Sequence, residues 1–290
     1  MVRRACIHLV LSLLCLTTHV AATEIKFSTT KGNRLAEATL GKPAKPTANE
    51  KGSPAVVLLH HGGGCSQSQT RVYAESLKAM GYFTLEPCLF NAVAQRERIA
   101  ANYLPQVFGA LRYLSQIPEV DKSRIAVVGG SYGGTLALLS ATKWAYETHA
   151  DPSVPPFAAH VPFYPPCFLI ERFVRSGRSM PEIPSDAYTR YVGSPIRIFA
   201  GTLDDYEDRD PESCSSMVAA FGEDGKKHIS VRMFTGATHG WDHGRTYSFH
   251  EAVACKGRGC VNNNVFQPDI TQKGIEEMLE FLSVSMRARN

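Results

Sequence analysis

Beyond its first 22 residues, the sequence has no apolar run that approaches the roughly 20 residues needed to span a bilayer. It has no internal repeat, and its charged fraction of 20% and hydrophobic fraction of 44% argue against a disordered or coiled-coil chain. It also lacks a basic stripe interleaved with aromatic residues, which argues against nucleic acid as a partner. These absences leave a globular chain of one large domain, or at most two.

Motifs for cofactors and metals are missing as well. No G-x-G-x-x-G pattern occurs and no lysine follows the glycine-rich turns, so nothing indicates a bound nucleotide. His239 and His243 have the spacing of two zinc ligands on a helix, but Gly240 interrupts them and the glutamate of metalloproteases is absent. We therefore expect neither a cofactor nor a metal.

The N-terminal segment has the features of a secretory signal peptide. Arg3 and Arg4 form a basic start, and the apolar stretch from Cys6 to Ala22 is too short and too mixed for a membrane span. We place the cleavage after Ala22, which leaves a single domain over residues 23–290 with 29 basic and 27 acidic side chains. This nearly neutral mature chain is expected to be periplasmic or secreted, with no stable membrane anchor.

Strands alternate with helices from Ala55 to the end of the chain. Buried apolar runs such as Ala55–His61 and Arg124–Gly129 indicate parallel strands, and two shorter strands precede them within residues 24–29 and 34–43. The predicted helices cover residues 68–80, 96–116, 133–147, 211–222 and 270–286. The alternation predicts an α/β fold: a mostly parallel central sheet with helices on both faces and functional residues at the carboxyl ends of the strands.

Six cysteines remain after the expected cleavage, and an even number in an oxidising compartment favours disulfides over metal binding. Four of them follow neighbouring segments at one rim of the sheet, and the last two enclose a short loop with two glycines. The sequence therefore predicts three bridges: Cys65–Cys88, Cys167–Cys214 and Cys255–Cys260. The alternative is that some of these residues are free buried thiols, which pack as small hydrophobic groups.

A single hydroxyl stands between glycines in GGSYGG, where a strand passes into a helix. The pattern Gly129-x-Ser131-x-Gly133 is typical of a nucleophile elbow, in which a tight turn makes the serine hydroxyl project from the sheet. A serine hydroxyl needs a base within hydrogen-bond reach, and the base needs an orienting acid.

Candidates for the base and the acid follow in the order expected of this fold. Asp204 comes after the strand at residues 195–201, and His239 comes after the strand at residues 228–236. Asp205 competes with Asp204 as the acid, and motif alignment alone favours Asp204. His60 and His61 are expected to pack or to hydrogen-bond their loop rather than to catalyse.

An acyl oxyanion also requires hydrogen-bond donors. One donor is expected to be the backbone N–H of Tyr132, the residue after the serine, and the other the N–H of Gly62 or Gly63 in HHGGG. The side chains of Tyr132 and Trp241 either line an acyl pocket or simply pack.

The motifs LLHHGGGCSQ, GGSYGG, GTLDDY followed by Cys214, and TGATHGWD together resemble those of the dienelactone hydrolase family. The resemblance extends roughly from Glu24 to the C-terminus. It implies the α/β-hydrolase fold without a large cap domain, and a triad of Ser131, Asp204 and His239. The namesake enzymes of the family use a cysteine nucleophile where this chain has Ser131, which favours general ester hydrolysis over a lactone substrate.

The sequence thus predicts an exported serine hydrolase that cleaves a small or medium carboxylic ester or lactone through an acyl-enzyme. Its expected partner is a small-molecule ester, and nothing in the sequence indicates the oligomeric state. A serine peptidase or an acyltransferase of the same fold is the alternative within enzymes. A catalytically silent module of this fold that binds a ligand is the alternative outside them.

Overall fold

The computed structural model describes residues 22–45, 51–97, 99–179 and 182–287. The expected signal peptide lies outside these residues except for Ala22, which is exposed. Among the described residues, no helix is long and apolar enough to cross a membrane.

An eight-stranded sheet forms the centre of the described chain, in the order β1-β2-β4-β3-β5-β6-β7-β8. The β1–β2 and β2–β4 pairs are antiparallel and the remaining pairs are parallel. The strands are β1 (Thr23–Ser28), β2 (Leu35–Gly41), β3 (Ser53–Leu59), β4 (Phe83–Pro87), β5 (Val120–Gly130), β6 (His160–Phe163), β7 (Ile196–Gly201) and β8 (Ile229–Phe234).

Helices cover both faces of this sheet. They are α1 (Thr70–Ala79), α2 (Leu104–Ser115), α3 (Tyr132–Leu139), α4 (Lys143–His149), α5 (Cys167–Ser176), α6 (Ser213–Ala220), α7 (Gly222–His228), the short turn α8 (Ala254–Gly257) and α9 (Pro268–Ser285). Alternate residues of β3 face opposite layers, as the pleat requires. Val57 and Leu59 pack with α2 and α3, whereas Val56 and Leu58 pack with α1 and α9. The described chain therefore confirms the predicted α/β class with a mostly parallel sheet, and no large cap covers the sheet within it.

Two predicted helices differ from those observed. The helix predicted over residues 133–147 is interrupted, because α3 ends at Leu139 and α4 begins at Lys143 after Thr142, whose side chain accepts the N–H of Ala145 as an N-cap. The helix predicted from residue 96 begins only at Leu104, where Pro105 occupies its first turn. The residues before it form a loop and a 3₁₀ turn beside the carboxyl ends of the strands.

A hairpin that the sequence reasoning missed follows β8. Its antiparallel strands are β9 (Tyr247–Glu251) and β10 (Cys260–Asn264), and α8 lies between them. The strand β10 reads CVNNN, which does not alternate between apolar and polar residues, and β9 reads YSFHE, which alternates over only four residues. Hydrogen bonds to the loop after β7 and one small apolar cluster around Ala254 hold this hairpin in place, and so short a pattern did not reveal it.

The six cysteines of the described chain form three disulfides. The Cα atoms are 5.2 Å apart in Cys65–Cys88, 5.0 Å apart in Cys167–Cys214 and 6.0 Å apart in Cys255–Cys260. The first bridge joins the segment after β3 to the segment after β4, the second joins the starts of α5 and α6, and the third closes the hairpin. These are the pairings that the positions of the cysteines in the sequence suggest.

Candidate active site

Ser131 occupies a sharp turn between β5 and α3. Its backbone lies in the left-handed region, with φ of 52°, and its N–H donates to the carbonyl of Phe163 at 2.9 Å. A Cβ at Gly133 would lie 2.4 Å from the carbonyl oxygen of Leu59, and one at Gly129 would lie 2.3 Å from that of Gly133. The turn therefore requires glycine at both positions, and the strained serine presents its hydroxyl at the edge of the sheet.

A chain of two hydrogen bonds links the serine to a buried carboxylate. The Oγ atom of Ser131 lies 2.9 Å from Nε2 of His239, and Nδ1 of His239 lies 2.8 Å from Oδ2 of Asp204. His239 and Asp204 are buried, and Ser131 is partly exposed. The three residues come from the ends of β5, β7 and β8, so the parallel sheet brings together side chains that are 108 residues apart in sequence at their widest.

The two neighbouring aspartates have different partners. The second oxygen of Asp204, Oδ1, accepts the N–H of Tyr206 at 2.9 Å, so both of its carboxylate oxygens are engaged. Asp205 points away from the histidine and accepts hydrogen bonds from Nε of Arg209 at 2.8 Å and from the N–H of Asn263 at 2.8 Å. Burial alone would raise the pKa of Asp205, but these hydrogen bonds lower it below its ordinary value.

Two tyrosines fix the ring of His239. The ring of Tyr206 lies 4.2 Å from the imidazole centroid, and the ring of Tyr164 lies 4.9 Å from it in an edge-on arrangement. The Tyr164 hydroxyl donates to Asp242 behind the elbow, and the Tyr73 hydroxyl donates to the other oxygen of Asp242 at 2.6 Å. Burial raises the pKa of Asp242. This buried network was not foreseen, because its members come from α1, the residue after β6 and the loop after β8.

Three backbone N–H groups stand beside Ser131, and their environments differ. The N–H of Tyr132 opens α3 and has no carbonyl one turn earlier to accept it. The N–H of Gly63 donates to Nδ1 of His61 at 2.9 Å and is therefore engaged. Gly62 lies against Tyr132, since a Cβ there would be 3.9 Å from that of Tyr132, and within the described chain its N–H has no hydrogen-bond acceptor.

The other histidines near the site hold loops in place. His60 accepts the N–H of Leu89 at 3.1 Å through Nε2. The ring of His61 stacks on that of His243 with centroids 4.1 Å apart. Burial lowers the pKa of His60 and of His61 to about 4, and that of His243 to about 3. All three are therefore uncharged at neutral pH. Both ring nitrogens of His239 are engaged by Ser131 and Asp204, and the described residues contain no group of three or more metal-binding side chains.

A buried glutamate anchors the loop that carries Asp204. Both oxygens of Glu207 accept backbone N–H groups at the start of α5, from Cys167 at 2.7 Å and from Phe168 at 3.0 Å, and Ser213 also donates to it. Burial, assisted by the charge of Asp204, raises the pKa of Glu207 to about 8. Because the Cys167–Cys214 bridge joins the same two helix starts, the Asp204 loop is tied to α5 and α6 by a disulfide and by hydrogen bonds.

The hairpin holds the same loop from the other side. The N–H of Cys255 donates to the carbonyl of Asp205 at 2.8 Å, and the N–H of Lys256 donates to that of Tyr206 at 3.0 Å. The Tyr206 hydroxyl reaches Glu251 of β9 at 3.2 Å. No motif in the sequence indicated this contact, although the bridge expected within residues 255–260 marked the segment as structured.

Two cavities open at Ser131. One is about 480 Å³ and is lined by Tyr132 and by apolar residues of α3, α5 and the segment before β7. The other is about 300 Å³ and is lined by His239, by the hairpin and by the loop after β3 that contains Gly62 and Gly63, here called the glycine loop. Trp241 lines neither of them, because it is fully buried against Phe163 and Tyr164.

Solved structures with the same fold cover most of the chain. Esterase 2 of Thermogutta terrifontis is 22% identical in its paraoxon-phosphorylated form, with a TM-score of 0.64, covering 93% of this chain and 96% of that one. Its propionate-bound form is 21% identical, with a TM-score of 0.60 and the same coverage. Est1E from Butyrivibrio proteoclasticus is 16% identical, with a TM-score of 0.55, covering 89% of this chain and 98% of that one. Likenesses at these identities establish the fold.

No curated protein sequence matches the chain. The family model of the dienelactone hydrolase family matches residues 37–263, which is more than three quarters of the chain. The matched range includes the glycine loop, the serine elbow, the Asp204 loop, His239 and the hairpin. The chain therefore belongs to the dienelactone hydrolase family of the α/β-hydrolase fold and is a hydrolase of ester bonds.

Proposed function

We propose that the protein is an exported serine esterase that hydrolyses carboxylic esters through a covalent acyl-enzyme. The observation that carries the proposal is the unbroken hydrogen-bond chain from Oγ of Ser131 to Nε2 of His239 and from Nδ1 of His239 to Asp204, at 2.9 and 2.8 Å. Each of these residues was expected in its role from the sequence, and Asp204 rather than Asp205 contacts the histidine.

In the acylation step, His239 takes the proton of the Ser131 hydroxyl through Nε2 while Oγ attacks the ester carbonyl. Asp204 keeps the Nδ1–H tautomer and stabilises the imidazolium that forms. The negative charge on the carbonyl oxygen is received by the N–H groups of Tyr132 and Gly62, the two donors at the site without a partner in the described chain. The bond to the alcohol then breaks, and Nε2 gives its proton to the departing alkoxide.

Deacylation repeats these roles with water. His239 removes a proton from a water molecule, which attacks the acyl carbonyl, and the same two N–H groups receive the oxyanion. Collapse of the intermediate releases the carboxylic acid, and the proton on Nε2 returns to Oγ of Ser131. The bonds of Tyr164 and Tyr206 to Asp242 and Glu251 hold the two rings beside His239, so the imidazole keeps its orientation through both steps.

The proposal of export rests on the N-terminal segment and on the three disulfides. Bridges such as these persist in oxidising compartments and are rare in the cytosol. N-terminal sequencing of protein recovered from the periplasm or from the culture medium tests this part, and a chain that starts at Thr23 is expected.

Labelling with a fluorophosphonate probe tests the catalytic assignment. In the wild-type protein, Oγ of Ser131 should attack the phosphorus of the probe and displace its fluoride, and the resulting phosphonyl ester is identified by mass spectrometry of the modified peptide. The Ser131→Ala variant should remain unlabelled, retain its melting temperature, and lose several orders of magnitude in kcat on p-nitrophenyl esters. Hydrolysis by this variant at the wild-type rate would remove Ser131 as the nucleophile.

The same experiment separates the alternatives. A catalytically silent module would show neither labelling nor hydrolysis, whereas an acyltransferase would be labelled but would pass the acyl group to an added alcohol faster than to water. A peptidase would hydrolyse amide and ester bonds of the same acyl group. We expect labelling together with hydrolysis of esters.

A further inference from the structure

The two cavities at Ser131 differ in which catalytic groups they contact. Both contain Ser131, but only the 300 Å³ cavity is lined by His239 and Gly62, and only the 480 Å³ cavity is lined by Tyr132. They share Val93, Arg96, Tyr206 and Glu251 at their junction. An ester bound at the serine therefore has two directions in which its halves can extend.

The direction of proton transfer determines which half of the ester, alcohol or acyl, occupies which cavity. His239 must give its proton to the leaving alkoxide, so the alcohol oxygen has to lie within hydrogen-bond reach of Nε2. The alcohol half then extends into the cavity that His239 lines. The acyl half remains attached to Oγ of Ser131 on the Tyr132 side, and it extends into the 480 Å³ cavity.

The acyl-side cavity is apolar. Its wall consists mainly of aliphatic and aromatic side chains from α3, α5 and the segment before β7, namely Leu139, Leu169, Ile170, Phe173, Ile183 and Tyr188. Ile170, Ile183 and Tyr188 are buried, so they form the deep part of the wall, and Leu169 is 44% exposed at its rim. At roughly 30 Å³ per water-sized group, an eight-carbon chain needs about 240 Å³ and fits within this space.

The alcohol-side cavity is more polar than the acyl-side cavity and has flat aromatic walls. Asn264 and Glu251 contribute amide and carboxylate groups, and Arg245 lies over the ring of Tyr247 with its Cζ atom 4.7 Å from the ring centroid. The rings of Tyr247 and Phe249 are stacked 5.8 Å apart on the hairpin. Donors, acceptors and flat ring faces together suit an alcohol with several hydroxyl groups, which exchanges hydrogen bonds along its edges and packs its C–H face on a ring.

We propose that the substrate joins an apolar acyl group of medium length to a polyhydroxylated alcohol, and that the Cys255–Cys260 hairpin supplies the alcohol specificity. This inference rests on the proposed serine esterase function. It assigns Ile170 and Phe173 to recognition of the acyl group, and Phe249 to recognition of the alcohol.

The first test varies the acyl group with the alcohol held constant. For p-nitrophenyl esters from acetate to octanoate, kcat/KM should rise with each methylene added, by up to about fourfold, which corresponds to ~0.8 kcal/mol for one buried CH₂. Ile170→Trp should fill the deep part of the cavity and abolish this rise beyond butyrate. If Ile170→Trp does not fold, Phe173→Ala enlarges the cavity instead and should move the optimum to longer chains.

The second test varies the alcohol with the acyl group held constant. Release of hexanoate should be at least tenfold faster, in kcat/KM, from monohexanoyl glycerol than from hexyl hexanoate. Phe249→Ala, on the exposed face of the hairpin, should reduce this ratio and leave the p-nitrophenyl acyl profile unchanged. Ile170→Trp is the matched control, because it should change the acyl profile and leave the alcohol ratio unchanged.

The outcomes separate this inference from the function on which it rests. If fluorophosphonate labels Ser131 but kcat/KM does not rise from acetate to octanoate, the division of the site is wrong while the esterase function stands. If Ile170→Trp changed the ratio of kcat/KM between monohexanoyl glycerol and hexyl hexanoate and Phe249→Ala did not, the alcohol would occupy the 480 Å³ cavity and the acyl group the other. That result would also overturn the inference. Absence of both labelling and hydrolysis would remove the esterase function and the inference together.

Discussion

The adjacent residues Asp204 and Asp205 allow one substitution to be tested in two positions that differ only in their partners. Changing either residue to asparagine preserves size and removes one negative charge. Asp204 accepts Nδ1 of His239 at 2.8 Å and the N–H of Tyr206 at 2.9 Å, whereas Asp205 is bonded to Arg209 and to Asn263 of the hairpin. The pair therefore compares the loss of a catalytic partner with the loss of a structural one.

In Asp204→Asn, the amide has one oxygen for two donors. If its oxygen keeps the N–H of Tyr206, its NH₂ group faces Nδ1 of His239 and selects the tautomer that carries the proton on Nε2. That tautomer cannot accept the proton of the Ser131 hydroxyl. The same error in a serine protease triad lowers kcat by about 10⁴, and we expect a loss of that order here.

Asp205→Asn should mainly weaken the contact between the loop and the hairpin. The asparagine oxygen still accepts the N–H of Asn263, so the cost is the difference between charged and neutral hydrogen bonds. We expect a loss of about 1–2 kcal/mol in the free energy of unfolding and a kcat within about tenfold of the wild type. The ion pair with Arg209 adds little to this because the arginine side chain is 58% exposed.

The assay is the steady-state kcat on a p-nitrophenyl ester for both variants, together with urea-induced unfolding. Ser131 labelling by fluorophosphonate should be nearly lost in Asp204→Asn and retained in Asp205→Asn. If Asp205→Asn proved the more damaging to kcat while both variants remained folded, the assignment of Asp204 as the orienting acid would be refuted.

Three further predictions concern stability and the support of the site. A double Cys167→Ser and Cys214→Ser variant should remain folded at 25 °C but lose activity on warming before its far-UV circular dichroism changes, because the bridge joins the two helix starts that hold the Asp204 loop; coincident losses would contradict this. Burial lowers the pKa of His160 to about 4. Between about pH 6.5 and 4 the unfolded chain therefore binds a proton that the folded chain does not, so this residue should lower the free energy of unfolding by up to ~1.4 kcal/mol per pH unit as the pH falls; calorimetry should show a lower Tm on acidification, and a higher Tm would contradict the prediction. Gly133→Ala should abolish soluble expression, since the added Cβ would lie 2.4 Å from a backbone carbonyl oxygen, whereas Gly274→Ala in α9 meets its nearest atom at 3.5 Å and should be tolerated.

Local sequence patterns carried the prediction of the sheet and of the residues at its edge. Apolar runs such as Ala55–His61 are long, continuous and bounded by turn residues, so the strand assignments hold apart from their end residues. Ser131 was evident because only glycine fits beside it, and His239 and Asp204 because each follows a strand. Both kinds of evidence, the steric need for glycine beside Ser131 and the order of the strands along the chain, can be read from a single sequence.

The parts that the sequence did not reveal depend on contacts between distant segments. The hairpin shows apolar alternation over only four residues, in β9, and is held by hydrogen bonds to the Asp204 loop about 50 residues earlier in the chain. Asp242 looks like one more turn residue until Tyr73 and Tyr164 are seen to donate to it from α1 and from the end of β6. The predicted ends of two helices were wrong for a related reason. The cap at Thr142 and the loop before Leu104 depend on packing against segments that are distant in sequence.

The support of the Asp204 loop explains how the proposed catalytic acid is held rigidly at a cleft that is open to solvent. The Asp204 loop follows the carboxyl end of a parallel strand, outside the ladder of the sheet. Hydrogen bonds of Glu207 hold it to the start of α5, and hydrogen bonds of Asp205 hold it to β10. The hairpin also lines the alcohol-side cavity through Tyr247 and Phe249. A substrate that contacts these two residues therefore contacts the same hairpin that holds the Asp204 loop. The Cys255–Cys260 bridge closes the tip of the hairpin into a short loop. This restraint limits how far a bound substrate can move the hairpin and, with it, displace Asp204 from His239. Substitutions within the hairpin that change alcohol preference should therefore alter kcat more than those in the apolar cavity. The hairpin donates hydrogen bonds directly to the carbonyls of Asp205 and Tyr206, whereas α5 contacts the Asp204 loop through Glu207 and through the buried cluster of Phe168, Tyr206 and Ala254.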